Sequence, residues 1–141
     1  MRRFLLALFV SLIAGAPALA DIRIVSSAGG VVGNYLEFFS RVRKSGERVI
    51  IDGPCLSACT LVLSTLPRSR ICVTPRAVLG FHAPALVDEA GHRYRSREAT
   101  KAVIATYPPS VQAWIKRHGG LKSDLIYLRG RELAALYPRC Y

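Results

Sequence analysis

Residues 49–66 read VIIDGPCLSACTLVLSTL, and this stretch decides the fold. Val49–Ile51 is a continuous apolar run, which is typical of a strand buried on both faces. Asp52–Pro54 carries the Gly and Pro residues that end a strand. Ala58–Leu66 is again apolar and long enough for a buried helix, entered through Ser57. The stretch therefore predicts a strand, a sharp turn and a helix, with a serine at the turn.

The same alternation of apolar strands and helices continues on both sides of this stretch. It predicts a strand at 22–26 and a helix at 31–42 before it, and after it strands at 70–73 and 77–81, a loop or hairpin at 87–97, helices at 98–106 and 110–117, a strand at 125–128 and a helix at 131–136. Buried-type strands that alternate with helices favour an α/β fold, with a mostly parallel sheet of repeated βαβ units and flanking helices.

The N-terminus has the composition of an export signal. Arg2 and Arg3 precede an apolar run, and Ala18–Ala20 follows it as a small-x-small cleavage site. We expect residues 1–20 to be a signal peptide cleaved after Ala20, and residues 21–141 to form a single domain in the periplasm or outside the cell. The apolar run is shorter than the roughly 20 residues of a membrane span, although an uncleaved anchor is the alternative.

The chain is strongly basic, with 20 Lys and Arg against nine Asp and Glu and a net charge of +11. Removing the leader with Arg2 and Arg3 leaves 18 basic residues and a net charge of +9. In an exported protein this charge favours contact with anionic envelope polymers or lipid headgroups rather than with nucleic acid. Arg93, Arg95 and Arg97 form the tightest cluster, either a basic stripe on one strand face or a solvated loop.

Four cysteines lie in the predicted mature chain: Cys55, Cys59, Cys72 and Cys140. An even number in an exported protein favours disulfides, and three pairings are open. The alternative is a zinc site that uses Cys55, Cys59 and a histidine, but the C-x-x-x-C spacing is unusual for zinc. The chain has no C-x-x-C motif of a thiol–disulfide enzyme. We therefore predict disulfides, with no metal and no cofactor.

Ser57 and His82 are the residues with the clearest chemical potential. Each follows an apolar strand, and the carboxyl ends of parallel strands meet at one edge of a sheet. A serine becomes a nucleophile when a base accepts its proton and when amides stabilise the oxyanion. The amides of Ala58 and of Gly29 or Gly30 are candidates for that oxyanion hole. The simpler alternative is a helix-capping serine and a structural histidine.

Three motifs resemble those of the Clp protease proteolytic subunit, in the ClpP/crotonase superfamily. Ser26–Val32 is similar to the S-P-G-G-x-V loop of that family, and Gly53–Ala58 is similar to its G-x-A-A-S-M/A segment. Cys72–Pro84 resembles the strand L-P-N-x-x-x-M-I-H-Q-P. The motifs come in the family order at similar intervals and span about half of the predicted mature chain. The chain also looks like small exported relatives of this superfamily.

The resemblance implies roles for individual residues. Ser57 matches the family nucleophile, His82 matches its base, and Gly30 and Ala58 match the residues with oxyanion amides. The segments Tyr127–Leu128 and Glu132–Leu136 resemble the ending of the family domain. That alignment puts the catalytic aspartate slot near Leu125 and makes Asp124 the candidate, ahead of Asp88 and Glu132.

The resemblance also bears on the disulfides and on assembly. It places the end of the chain beside the strand that carries Cys72, which favours the pairs Cys72–Cys140 and Cys55–Cys59. Since relatives form rings or trimers, it implies a homo-oligomer. The resulting expectation is a periplasmic serine hydrolase, most simply a peptidase, acting on a peptide or acyl substrate. The alternative is an inactive exported module of the same fold that binds an anionic envelope component or a protein partner.

Overall fold

The computed structural model describes residues 20–141 of the chain. The predicted signal peptide, residues 1–20, lies outside the described residues except for Ala20. Within the described part, none of the helices combines the length and the apolar character that a membrane span requires.

Eight strands and five α-helices build this part of the chain. The first half contains β1 (Ile22–Ile24), α1 (Val32–Ser45), β2 (Val49–Ile51), β3 (Pro54–Leu56), a 3₁₀ helix (Ser57–Leu61), α2 (Val62–Thr65), a second 3₁₀ helix (Arg68–Arg70) and β4 (Ile71–Val73). The second half contains β5 (Val78–Phe81), β6 (Ala85–Val87), β7 (Arg93–Arg95), α3 (Arg97–Thr106), α4 (Pro109–Arg117), β8 (Ile126–Arg129) and α5 (Gly130–Leu136).

The α/β class is confirmed, and the strands are divided between two small sheets and a hairpin instead of forming one repeated βαβ sheet. Strands β1, β2 and β4 form a parallel three-stranded sheet. Strands β3, β5 and β8 form a second sheet, in which β3 and β5 are parallel and β8 is antiparallel to β5. The predicted loop or hairpin at 87–97 is the antiparallel pair β6–β7. The predicted helix at 58–66 is divided into a 3₁₀ helix and the short α2, and strand β3 directly precedes it.

The two sheets are separated by bends in the chain, which lie directly after β1 and directly after β2. After β1, the backbone of Ser27 pairs with β3. The Ser27 amide donates to the Pro54 carbonyl at 2.8 Å, and the Leu56 amide donates to the Ser27 carbonyl at 2.9 Å. After β2, the chain bends at Gly53, where a Cβ atom would collide with the carbonyl group of Val25. Glycine is therefore required at this crossing because the two backbones touch. The bend carries β3 and β5 away from the first sheet and towards the site described below.

Asp52 holds this bend together from a buried position, since it is only 5% exposed. Its carboxylate accepts hydrogen bonds from Arg76, from Thr74 at 2.6 Å and from Arg23 at 2.7 Å. These hydrogen bonds hold the pKa of the Asp52 carboxyl well below its usual range, against the opposing effect of burial. The three partners lie after β4 and in β1, so one carboxylate ties together the segments that leave the first sheet.

Asp52 should make stability depend on pH in the acid range. Because its folded pKa is lowered, its stabilising effect is complete above the unfolded pKa of about 3.9 and is lost as the pH falls further. We expect Asp52→Asn to lower the melting temperature at pH 7 by several degrees and to flatten the acid dependence below about pH 4. Thermal unfolding between pH 2.5 and 7 measures both effects. Glu37→Gln, which removes an exposed carboxylate, is the control. Parallel acid curves for wild type and Asp52→Asn would contradict this role.

A single cluster of apolar side chains packs between the helices and both sheets. Trp114 in α4 is 1% exposed and belongs to this core. It packs against Phe81, with ring centroids 5.7 Å apart, and Phe81 in turn packs edge-on against Tyr107 at 5.4 Å. Phe81 is the last residue of β5, so these contacts fix the point where the chain reaches His82.

Candidate active site

Ser57 occupies a strained elbow between β3 and the 3₁₀ helix. Its φ angle is 53°, and within residues 20–141 it is the only residue other than glycine with a positive φ. A side chain in this region is disfavoured by about 1–2 kcal/mol, and such outliers concentrate at functional sites. The side chain of Ser57 does not cap the helix, because its hydroxyl bonds to His82 instead. The helix-cap alternative from the sequence is therefore wrong.

His82 lies directly after β5, beside Ser57. Its Nε2 atom is 2.7 Å from the Ser57 Oγ, and its Nδ1 atom is 2.8 Å from the carbonyl oxygen of Ala83. A carbonyl oxygen only accepts, so Nδ1 carries the proton of the neutral imidazole and Nε2 has the free lone pair. The Ser57 hydroxyl then donates to Nε2. This tautomer is the one that a general base for Ser57 requires.

The topology explains why these two side chains meet. Strands β3 and β5 are parallel neighbours, with Leu56 opposite Gly80. Ser57 and His82 each follow the carboxyl end of one of these strands, so they emerge at the same edge. A Cβ atom at Gly80 would approach the end of the Leu56 side chain to 2.6 Å, so a larger residue there would displace that side chain.

The structure does not bring Asp124 to the imidazole. Asp124 is exposed in the segment before β8, and within residues 20–141 its carboxylate makes no hydrogen bond with His82. The segment does approach the site through its backbone, because the Lys122 carbonyl accepts from the Ala83 amide at 2.7 Å. The Ala83 carbonyl occupies the Nδ1 side of the ring instead. A functional role for Asp124 stays a prediction.

The two other acidic candidates lie in different surroundings. Asp88 accepts hydrogen bonds from the amides of Ala90 and His92 and lies 3.2 Å from the His92 ring, all within the β6–β7 hairpin. Glu132 in α5 lies 3.7 Å from Nε2 of His118. Neither carboxylate contacts His82.

The glycine loop packs directly behind the elbow. Gly29 has a φ of +85°, and a Cβ atom there would lie 2.6 Å from both the Leu56 carbonyl oxygen and the Ser57 Cβ. The amides of Gly30 and Ala58 have no acceptor in the described part of the chain. Both residues line the cleft that contains Ser57 and His82. The predicted oxyanion donors therefore line the same cleft as the serine, with N–H groups that are unused in the described part of the chain.

The cysteines form the two disulfides Cys55–Cys59 and Cys72–Cys140, which confirms the pairing that the resemblance favours. The first closes the elbow on either side of Ser57. The second ties the C-terminus to β4, where the Cys140 amide also donates to the Val73 carbonyl at 3.1 Å. Because all four sulfurs are used, Cys55 and Cys59 are not zinc ligands. Among the described residues, no group of three or more His, Cys, Asp and Glu side chains has the arrangement of a metal site.

A buried pair of hydroxyl groups supports the elbow from below. Thr60 donates to the Ser57 carbonyl at 2.7 Å, and its oxygen lies 2.6 Å from the hydroxyl of Tyr107. Thr60 has one proton, so Tyr107 must donate to Thr60. Burial raises the pKa of Tyr107 to about 12, although the Thr60 hydrogen bond lowers it, so the phenol keeps its proton. This contact joins residues 47 positions apart, so it leaves no local signal in the sequence.

Ser57 lines a cleft of about 820 Å³. Its walls come from the glycine loop with the start of α1, from the β6–β7 hairpin and from α3. The walls are mostly apolar and include Val31, Leu86, Val87 and Val103. Val31 and Val87 are 67% and 62% exposed. Exposed apolar side chains around a concave site are typical of a ligand-binding surface.

Comparisons with known proteins give a likeness in fold. The solved structure of a ClpP1 mutant from Listeria monocytogenes is similar to this chain, with a TM-score of 0.47 and 15% sequence identity. The alignment covers 83% of this chain and 71% of that one. No protein-family model matches the chain, and no curated protein matches it in sequence.

Proposed function

We propose that this protein is a serine hydrolase that acts by acyl transfer, most simply a peptidase. The observation that carries the proposal is the 2.7 Å contact between the Ser57 Oγ and the His82 Nε2 at a strained elbow. The unused amides of Gly30 and Ala58 and the apolar cleft support it. So does the resemblance of three sequence motifs to the Clp protease proteolytic subunit.

In the proposed reaction the Ser57 oxygen attacks a carbonyl carbon of the substrate. The Ser57 proton passes to His82 Nε2, and the amides of Gly30 and Ala58 donate to the oxyanion. When the tetrahedral intermediate collapses, the bond to the leaving group breaks and the leaving group takes the proton from His82. A water molecule, deprotonated by His82, then cleaves the acyl–Ser57 ester and regenerates the serine.

In this proposal the Ala83 carbonyl orients the His82 imidazole, as a carboxylate does in a catalytic triad. It fixes the tautomer with the proton on Nδ1, and loss of the correct tautomer costs about 10⁴-fold in a serine protease. A neutral carbonyl stabilises the imidazolium less than a carboxylate does, because it has no net charge. We therefore expect a slow hydrolase with a correctly oriented base.

The proposed location is an oxidising compartment outside the cytoplasm, such as the periplasm. The proposal rests on the two disulfides and on the leader-like composition of residues 1–20. Disulfides persist in exported proteins and are rare in the reducing cytosol.

An active-site fluorophosphonate should label the full-length protein, and Ser57→Ala should remove the labelling. The reagent phosphonylates a serine, with loss of fluoride, only when a base activates the serine and an oxyanion hole accepts the phosphonyl oxygen. Ser69→Ala, which changes an exposed serine outside the cleft, is the control and should label as wild type does. Intact-protein mass spectrometry measures the adduct. An absence of labelling between pH 6 and 9, or labelling that persists in Ser57→Ala, would refute the proposal.

One observation favours a second candidate function. His82 is oriented by a neutral carbonyl and not by a carboxylate, so the imidazolium lacks a charged partner, which favours an inactive module of the same fold. Such a module would bind an anionic envelope component or a protein partner through its basic surface. It would remain unlabelled, and its binding to anionic polymers would weaken with added salt.

A further inference from the structure

The cleft around Ser57 contains one permanently charged side chain. Apart from His82 and the buried Tyr107, Arg93 is its only ionisable lining residue among residues 20–141. The described lining contains no Asp or Glu. A guanidinium group keeps its charge throughout the physiological pH range and presents several donors in a planar fork. The cleft therefore combines apolar walls with a single cation.

Arg93 has no anionic partner of its own. Within the described part of the chain, none of the ion pairs involves its guanidinium group. Asp88, on the same hairpin, is already bonded to the amides of Ala90 and His92 and to the His92 ring. The charge of Arg93 is thus available to a ligand in the cleft.

The backbone of Arg93 is fixed by the fold. It pairs with Val87 across the β6–β7 hairpin, and Val87 itself lines the cleft. The hairpin runs directly into α3, which Ser96 caps by accepting from the Ala99 amide at 3.1 Å. Ala99 and Val103 on α3 form part of the same wall. The hairpin and the capped helix therefore place Arg93 in the wall of an apolar cleft.

We propose that Arg93 selects acyl substrates that carry a carboxylate beyond an apolar segment. This inference rests on the proposed hydrolase and specifies its substrate class. The apolar part contacts the wall formed by Val31, Val87 and Val103, and the carboxylate pairs with the Arg93 guanidinium group. The carboxylate belongs either to an acidic side chain of a peptide or to its C-terminus.

The kinetic test uses p-nitrophenyl half-esters of dicarboxylic acids from adipate to azelate, each compared with its methyl-capped neutral ester. We expect kcat/KM to favour the free carboxylate by about tenfold at the best chain length, and less at high salt because exposed charges are screened. Arg93→Gln should bring the ratio close to one, and Arg93→Glu should invert it. Arg95→Gln, an equal change of charge on the same strand but outside the cleft lining, should keep the wild-type ratio.

A binding test separates this inference from the proposed catalysis. The Ser57→Ala protein cannot form an acyl-enzyme, so fluorescence anisotropy of dye-labelled tripeptides reports recognition alone. The probes are Val-Ala-Glu amide, Val-Ala-Gln with a free C-terminus, and Val-Ala-Gln amide as the neutral control. Tighter binding of the first identifies a side-chain carboxylate, and tighter binding of the second identifies a terminal one. Both preferences should disappear in the Ser57→Ala, Arg93→Gln double variant.

The two proposals fail in different ways. If the fluorophosphonate does not label Ser57 but the anionic peptides still bind through Arg93, the hydrolase is refuted and the recognition stands. Equal rates for charged and capped esters, together with equal binding of the three peptides, would overturn the role of Arg93. A preference that survives Arg93→Gln, or that Arg95→Gln removes equally, would also overturn it, since it would then arise from the general positive charge.

Discussion

His82→Gln is expected to lower the rate of Ser57 labelling at pH 7 by about 10³-fold, within the 10²–10⁴-fold range of general base catalysis. Nε2 of His82 lies 2.7 Å from the Ser57 oxygen, and no other described side chain hydrogen-bonds to that oxygen. Glutamine keeps a comparable size and polarity but does not accept a proton at neutral pH. The labelling rate, measured at several reagent concentrations, gives the effect directly.

Two sets of control variants define what a loss of labelling means. His92→Gln and His118→Gln remove the other histidines, which lie on the hairpin and at the end of α4, and should label as wild type does.

Asp124→Asn tests whether the Ala83 carbonyl or the Asp124 carboxylate orients the His82 imidazole. If the Ala83 carbonyl is the orienting group, this variant should change the labelling rate by less than about threefold, far below the 10⁴-fold loss in a carboxylate-dependent triad. A loss of 100-fold or more would instead assign that role to Asp124.

The part of the site that follows from parallel strands could be predicted from the sequence. Two apolar strands, each followed by a chemically active side chain, are enough to place Ser57 and His82 at one edge. This prediction succeeds because it depends on the local sequence and on one rule of sheet topology.

The orientation of the imidazole could not be predicted in the same way. Every residue has a backbone carbonyl, so the Ala83 carbonyl on Nδ1 leaves no signal in the sequence, whereas an aspartate near the expected position does. The bend between the sheets could not be predicted from the sequence either, because it too depends on contacts that leave no local signal. Asp52–Pro54 indicates the end of a strand, but only the long-range contacts with Arg23, Thr74 and Arg76 show that the chain continues into a second sheet.

Gly29→Ala is expected to damage both the stability and the reactivity of the protein. With a φ of +85°, an alanine is strained by about 1–2 kcal/mol, and its Cβ would also lie 2.6 Å from the Leu56 carbonyl and the Ser57 Cβ. Backbone atoms on both sides must move to relieve that contact. We expect a loss of more than about 2 kcal/mol in the free energy of unfolding, because an alanine in an incompatible backbone conformation adds its own penalty. We also expect at least a tenfold loss of labelling in the folded protein, because the elbow shifts.

Gly91→Ala is the matched control, because Gly91 has the same φ of +85° but a Cβ there meets nothing within 4 Å. It measures the cost of the left-handed backbone alone. The difference between the two variants in denaturant unfolding is then the cost of the collision with the elbow. Labelling of Gly91→Ala should match wild type. If the two alanine variants lose equal stability and both label normally, Gly29 is a turn glycine only. A larger loss confined to Gly29→Ala means that the missing side chain of Gly29 lets the loop lie against Ser57.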